Sequence, residues 1–340
     1  MVDGAGRRGI PRREQADMGR TKSTYVPLKE LRTFFDHQRF GTALSSLREN
    51  APDAIHIVES LRLQNLKTSE RVELGGALYS YGKCCLNAGE FTRAAHSFDI
   101  ASDLTSRPLI SERLRLLREV VGDRVNSVRW RSSLIEMQRS LSIVCHEAKC
   151  NCLSHSAIAS CKGLIGRGLH HVRGSVEVHT LAAYHPYNTG DHWTKLLRRI
   201  KTGHEAKLLE PVTDILAEFI VEETNVLRSS DIVVPVPPST DKYVDRGFAP
   251  NDIVANGLER RLALPCRQWL YRSSGLPTRE ASQEALSEQF TTKRGIDLSG
   301  LSVLLVEDIW TRGRTIPICA EKLRAVGAES VQAVALGKTS

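Results

Sequence analysis

No apolar run in this chain reaches the roughly 18 residues that a membrane-crossing helix needs. Arg7-Arg8 and Arg12-Arg13 stand near the start, but no apolar segment follows them, so neither a signal peptide nor a twin-arginine signal is expected. The expectation is a cytoplasmic protein without a membrane partner. Disulfides are not expected in such a chain. Cys84, Cys85, Cys266 and Cys319 are scattered through apolar segments and read as packing residues. No Cys-x-x-Cys pair occurs, so the usual zinc-knuckle spacing is missing. The ending Gly337-Lys338-Thr339-Ser340 is no P-loop, because Gln332 stands where the first glycine belongs and no helix can follow.

What is present is ordinary in bulk and specific in detail. A length of 340 residues suggests two or three domains, and 41% hydrophobic with 25% charged residues is the composition of a globular protein. The net charge of +8 favours anionic partners: phosphorylated small molecules, nucleic acid or acidic proteins. Part of that surplus belongs to residues 1–24, which read as a disordered basic tail with six Lys/Arg against three acids.

Residues 25–140 read as helical throughout, with Leu, Ala, Arg and Glu recurring at three- and four-residue spacing. Within them, LYSYGKCCLNAGEFTRAAHSFDIASDL resembles a tetratricopeptide repeat. Gly82, Gly89, Phe91, Ala94, Phe98 and Ala101 fall where that motif packs two helices closely. Phe40, Ala43 and Leu47 repeat the spacing of Phe91, Ala94 and Phe98 upstream. The alternatives are a repeat-like module that binds a protein partner and a plain helical bundle. Residues 141–179 form a Cys/His-rich connector. Its Cys145, Cys150, Cys152, His155 and Cys161 suit a tetrahedral, structural Zn²⁺, or else are free thiols on a helix hairpin.

From residue 180 to 340 the pattern changes to apolar strands alternating with helices, which indicates an α/β fold with a mostly parallel sheet. TLAAY, DIVVPVPP, LSVLLVED and SVQAVAL read as strands. WTKLLRRIKTG, EPVTDILAEFIVEET, APNDIVANGLERRLAL and TIPICAEKLRAVGA read as helices. The stretch LLVEDIWTRGRT carries the chemistry. Its strand is expected at Val303–Val306 and its helix from Thr315, with Pro317 tolerated in the first turn. Between them Thr311, Arg312, Gly313, Arg314 and Thr315 form a phosphate cradle of backbone N–H groups and hydroxyls at a helix N-terminus. Glu307 and Asp308 would repel a phosphate, and suit instead the vicinal hydroxyls of a ribose or a Mg²⁺. A ribose bearing a 5-phosphate satisfies both halves.

Residues 303–315 resemble the phosphoribosyl-pyrophosphate motif of type I phosphoribosyltransferases: an apolar strand, two acids, then Thr-x-Gly-x-Thr. VVPVPPSTDKYVDRGF is similar to the ComF-family signature, and LLRRIKTG to that family's basic helix, with Lys201 at the motif lysine. The resemblance covers about residues 180–340. It departs at Ala249-Pro250, where Asn-Gln is common, and at Arg312 and Arg314, where small residues are usual. In the hood segment Gln283 and Leu286 match.

The resemblance implies a type I phosphoribosyltransferase-like domain that binds phosphoribosyl pyrophosphate with Mg²⁺. Its activity would be transfer of the phosphoribosyl group to an unidentified nitrogen acceptor. Glu307 and Asp308 would then hold the ribose and balance the charge developing at C1, Lys242 and Arg246 would hold the pyrophosphate, and Lys201 would be a further ligand-binding residue. Arg279 to Lys293, rich in polar residues, is expected as a lid. The alternative is a non-catalytic ComF-like sensor or DNA-uptake accessory protein whose helical region holds a partner.

Overall fold

Three apolar runs lie side by side in one sheet, and their order decides where the polar loops meet. The computed structural model describes residues 28–61, 63–88, 90–125, 143, 168–172, 176–185, 192–202, 204–274, 277, 278 and 280–339. Five helices come first: α1 Leu28–Arg48, α2 Ala54–Glu59, α3 Thr68–Asn87, α4 Phe91–Leu104 and α5 Pro108–Val125. Then follow β1 Gly168–Val172, β2 Val176–Thr180, β3 Ala183–Tyr184, α6 His192–Thr202, α7 Leu209–Glu223, α8 Val226–Ser229 and β4 Ile232–Pro235. Next are α9 Thr240–Arg246, α10 Pro250–Leu262, β5 Leu270–Arg272, α11 Gln283–Glu288 and β6 Phe290–Thr292. The last elements are β7 Ser302–Trp310, α12 Thr315–Arg324 and β8 Ser330–Thr339.

The protein is mixed α/β, and the main sheet runs β1-β2-β8-β7-β4 with β3 also paired to β8. All pairs but β1–β2 are parallel. β4 is buried at every position and β7 from Val303 to Val306, as strands covered on both faces must be. Leu304, Val306, Val334 and Leu336 pack into one core with α6, α7 and α10. Val303, Leu305, Ala333 and Ala335 pack into the other, beneath α12 and the β5–β6 hairpin. Pro235 lies opposite Val306. The chain therefore leaves β4 and the acid-bearing part of β7 on the same edge of the sheet, where ligands collect in such folds.

Three sequence expectations are adjusted. β7 runs on through Glu307 and Asp308 to Trp310, because β8 continues to Thr339 and gives those residues ladder partners. The expected strand at 180–184 divides into the end of β2 and a two-residue β3, separated by a bend. The polar segment expected as a lid is only partly free: α11 and β6 lie within it, with Leu286 and Phe290 fully buried.

The helices pack on one another and on the sheet in one continuous core. At Gly82 α3 and α4 approach closely, since a Cβ there would sit 2.4 Å from Phe98 Cε1. Ala94, Phe98 and Ala101 are fully buried on α4, and Phe40, Ala43 and Leu47 are buried on α1. At the junction with the sheet Arg113 is completely buried and donates to Tyr79 Oη and to the Ser230 carbonyl, each at 3.0 Å. Lys83 pairs with Asp231 at 2.9 Å, and Asp231 in turn accepts the Ser302 N–H at 2.8 Å. No helix among the described residues is long and apolar enough to cross a membrane.

Candidate functional site

Three elements deliver charge to the open edge of the sheet. α6 buries Trp193, Leu196, Leu197 and Ile200 at helical spacing, and the Trp193 indole donates to the Leu336 carbonyl at 2.8 Å. That docking fixes the helix against β8 and presents Lys201, next to Ile200, to the end of β7. The Lys201 ammonium lies 3.1 Å from Asp308 Oδ2. α9 forms where a basic loop was expected. It ends at Gly247, whose φ of +74° accepts the left-handed turn, and the Gly247 N–H bonds the Tyr243 carbonyl. Lys242 and Arg246, four apart, share one face of this helix, and Arg246 lies 3.9 Å from Asp308 Oδ2. Asn251, absent from the sequence reading, holds the turn before α9 by donating to the Val236 carbonyl at 2.7 Å.

Asp308 and Glu307 sit in unlike environments because successive strand side chains leave opposite faces. Burial pushes the Asp308 carboxyl up, but Lys201, the Ile309 N–H and Arg246 together outweigh it, so it is held below the ordinary carboxylate value. Glu307 is raised from 4.5 to about 8, first by burial and then by the Asp308 charge. Without ligand, Asp308 is therefore the charged member at neutral pH and Glu307 retains its proton. The Lys242 ammonium is lowered by burial and by Lys201, although much of its side chain remains exposed. Arg272, on β5, was not anticipated. It is half-buried, stacks 5.0 Å from the Phe290 ring, and pulls the Glu307 carboxyl downward. Only the tertiary fold brings it here, since no motif marks its position.

After Trp310 the chain turns through Thr311–Arg314 and enters α12 at Thr315. Gly313 has φ +67°, and a Cβ on it would come 3.1 Å from Trp310 Nε1, so both conformation and space call for glycine. Trp310 Nε1 is itself buried without a hydrogen-bond partner, an arrangement that costs about 1–3 kcal/mol until an acceptor is supplied. Thr311 and Arg312 are exposed, and Thr315 is half-buried.

Arg314, expected in the cradle, engages groups outside it. Its guanidinium donates to the Thr278 and Ala281 carbonyls at 2.7 Å each and to Gln283 Oε1 at 3.2 Å. Carbonyls arranged to match its fork hold it away from the loop's centre. Cys145, Cys150, Cys152, His155 and Cys161 lie outside the described residues. Among the described residues no group of three or more His, Cys, Asp or Glu side chains suits a metal ion. Of the packing cysteines, Cys85 and Cys319 are buried, while Cys84 and Cys266 are only half-buried. Compared with known proteins, the chain matches no family model, and no curated protein is significantly similar to it.

Proposed function

We propose that the chain binds phosphoribosyl pyrophosphate and acts as a phosphoribosyltransferase, with a type I phosphoribosyltransferase-like domain of the ComF sort in its second half. The observation that supports this best is the Asp308 cluster. One strand-end carboxylate lies within reach of Lys201 and Arg246, immediately before a glycine turn that enters a helix N-terminus.

The donor set fits the ligand group by group. The hydrogen-only face of Gly313 and the first amides of α12 suit the 5-phosphate. Asp308 and Glu307 suit the ribose hydroxyls. Lys201 and Arg246, now paired with Asp308, are the cations for the diphosphate, with Lys242 beside them. As ribose hydroxyls take over Asp308, these cations exchange one carboxylate for the more highly charged diphosphate. Bound Mg²⁺ supplies neutralisation of the leaving pyrophosphate, and the carboxylates that would hold it here are Glu307 and Asp308, leaving its other positions to ligand and water oxygens. The protein's own contribution is positioning, with Asp308 set to balance positive charge at C1 as the bond to pyrophosphate stretches.

Titration with phosphoribosyl pyrophosphate and Mg²⁺, followed by a pyrophosphate-release assay over a panel of nitrogen bases, tests the proposal. Saturable binding with base-dependent release is expected. Binding without release with any base would assign the chain to the sensor class, and no binding would remove the reading.

A further inference from the structure

The loop after β7 has one cation fewer than its sequence promises, because Arg314 is committed to Thr278 and Ala281. A different pair of groups stands behind it. Trp310 is only 8% exposed, and its indole N–H has no acceptor. That N–H abuts the one loop residue without a side chain, since a Cβ on Gly313 would lie 3.1 Å from Nε1 and 3.6 Å from Cε2 and Cζ2. The same turn leads directly into the ten-residue α12. Lys338 Nζ lies 5.0 Å from the centroid of the indole ring. Its polar contact, 3.1 Å away, is Nδ1 of His170, a ring held toward the neutral form by burial and by Lys338.

We infer that Trp310 Nε1 and the Lys338 ammonium form the deep wall of the loop's anion site, the indole donating to a phosphoryl oxygen and Lys338 supplying countercharge. The inference rests on the reading of this loop as the 5-phosphate site. A helix N-terminus attracts anions of any shape. A phosphate monoester has three terminal oxygens, enough to bond the α12 amides and still reach one further donor. In the ligand-free state Gly313 lies against the indole, so the anion enters as the glycine peptide shifts, which its backbone freedom permits. Cation and N–H then act in a water-poor setting where each is stronger than at the surface.

The test follows the Trp310 indole ¹⁵N–¹H signal, assigned through its contact with the His170 ring, in the full chain. Phosphoribosyl pyrophosphate with Mg²⁺ is the first probe and inorganic phosphate the second. Both are expected to move the signal. Trp310→Phe, which keeps the ring packing and deletes the donor, should weaken sugar-diphosphate affinity by about tenfold or more. Lys338→Met should weaken it to a similar degree and flatten its salt dependence.

An indole signal unmoved at saturating sugar diphosphate, while the 311–315 amides shift, would overturn the inference and leave the ribose-diphosphate reading intact. So would an affinity within about twofold of wild type in both variants. If only inorganic phosphate moves the signal, the anion wall stands and the ribose-diphosphate reading fails. If neither probe moves the indole or the 311–315 amides, both are wrong. Should Trp310→Phe fail to fold, the wild-type signal and Lys338→Met decide the matter.

Discussion

Two strands that end in the site have an aspartate held by cations, one just before β4 and one within β7, and the two aspartates stand in opposite settings. Asp231 precedes β4, faces Lys83 and the fully buried Arg113, and accepts the Ser302 N–H that opens β7. Asp308 lies near the other end of β7, paired with Lys201 and Arg246 at an open edge. Around Asp231, Arg113 reaches the Ser230 and Leu227 carbonyls and Tyr79, whose hydroxyl is held protonated by burial, while Arg113 Nε and Ser230 Oγ stay without a partner among the described residues. Asp308 has two cations as Asp231 does, but they meet at an open edge, beside a second carboxyl kept protonated. The enclosed cluster ties helices to sheet. The one at the edge leaves its charges accessible.

The largest effect expected from breaking this contrast is at the enclosed cluster. Asp231→Ala leaves Lys83 and Arg113 uncompensated inside the protein, and removing one partner of a buried pair costs about 3–5 kcal/mol. For a chain of this size that lowers Tm by roughly 2–4 °C per kcal/mol. Calorimetry showing an unchanged Tm would refute the structural role. Asp308→Asn is expected to do the reverse, leaving Tm close to wild type. It should reduce sugar-diphosphate affinity about ten- to 150-fold, the loss of one charge-assisted hydrogen bond. Calorimetric titration with an unchanged dissociation constant would remove Asp308 from the site.

Smaller effects sharpen the comparison. Glu307 has its folded-state value raised from 4.5 to about 8, so its contribution to stability is complete below about 4.5 and is lost as pH rises toward 8. Glu307→Gln should therefore raise Tm relative to wild type at pH 8 and leave it nearly unchanged at pH 4.5, and a difference equal at both values would contradict the assigned environment. Replacing Arg314 by Ala should lower Tm through lost anchoring of Thr278 and Ala281, each charge-assisted contact being worth at most about 1.5–3 kcal/mol. Arg312→Thr, at an exposed position, should change Tm by less than about 0.5 kcal/mol equivalent. If Arg312→Thr proved the more disruptive of the two, the division of labour in the loop would be reversed.

The motif from Val303 to Thr315 was legible because its physics is local. Strand, acids, glycine turn and helix start follow one another without a gap, and Lys201 and Lys242 stood out as basic residues beside apolar or proline-rich segments. Arg314 was legible as a residue but its partners were not, since the carbonyls that engage it come from Thr278 and Ala281, over thirty positions away. Arg272 and Lys338 could not be found at all. The first is carried by a three-residue strand of a hairpin closed across a long intervening segment, and the second lies in a sequence that suggested a failed P-loop.

The sequence by itself determined the α/β class, the mostly parallel sheet and the strand–turn–helix order from Val303 to Thr315. These follow from hydrophobic period, from backbone conformations that only glycine or proline supplies, and from the order of acids and hydroxyls along a few residues. Only the tertiary structure decided which cations face which carboxylate, that Asp308 rather than Glu307 keeps its charge, and that helices and sheet share Arg113, Lys83 and Asp231 in one buried network. Charge pairing and desolvation depend on distance and burial, and a chain reveals those only once residues separated by a hundred positions have been packed together.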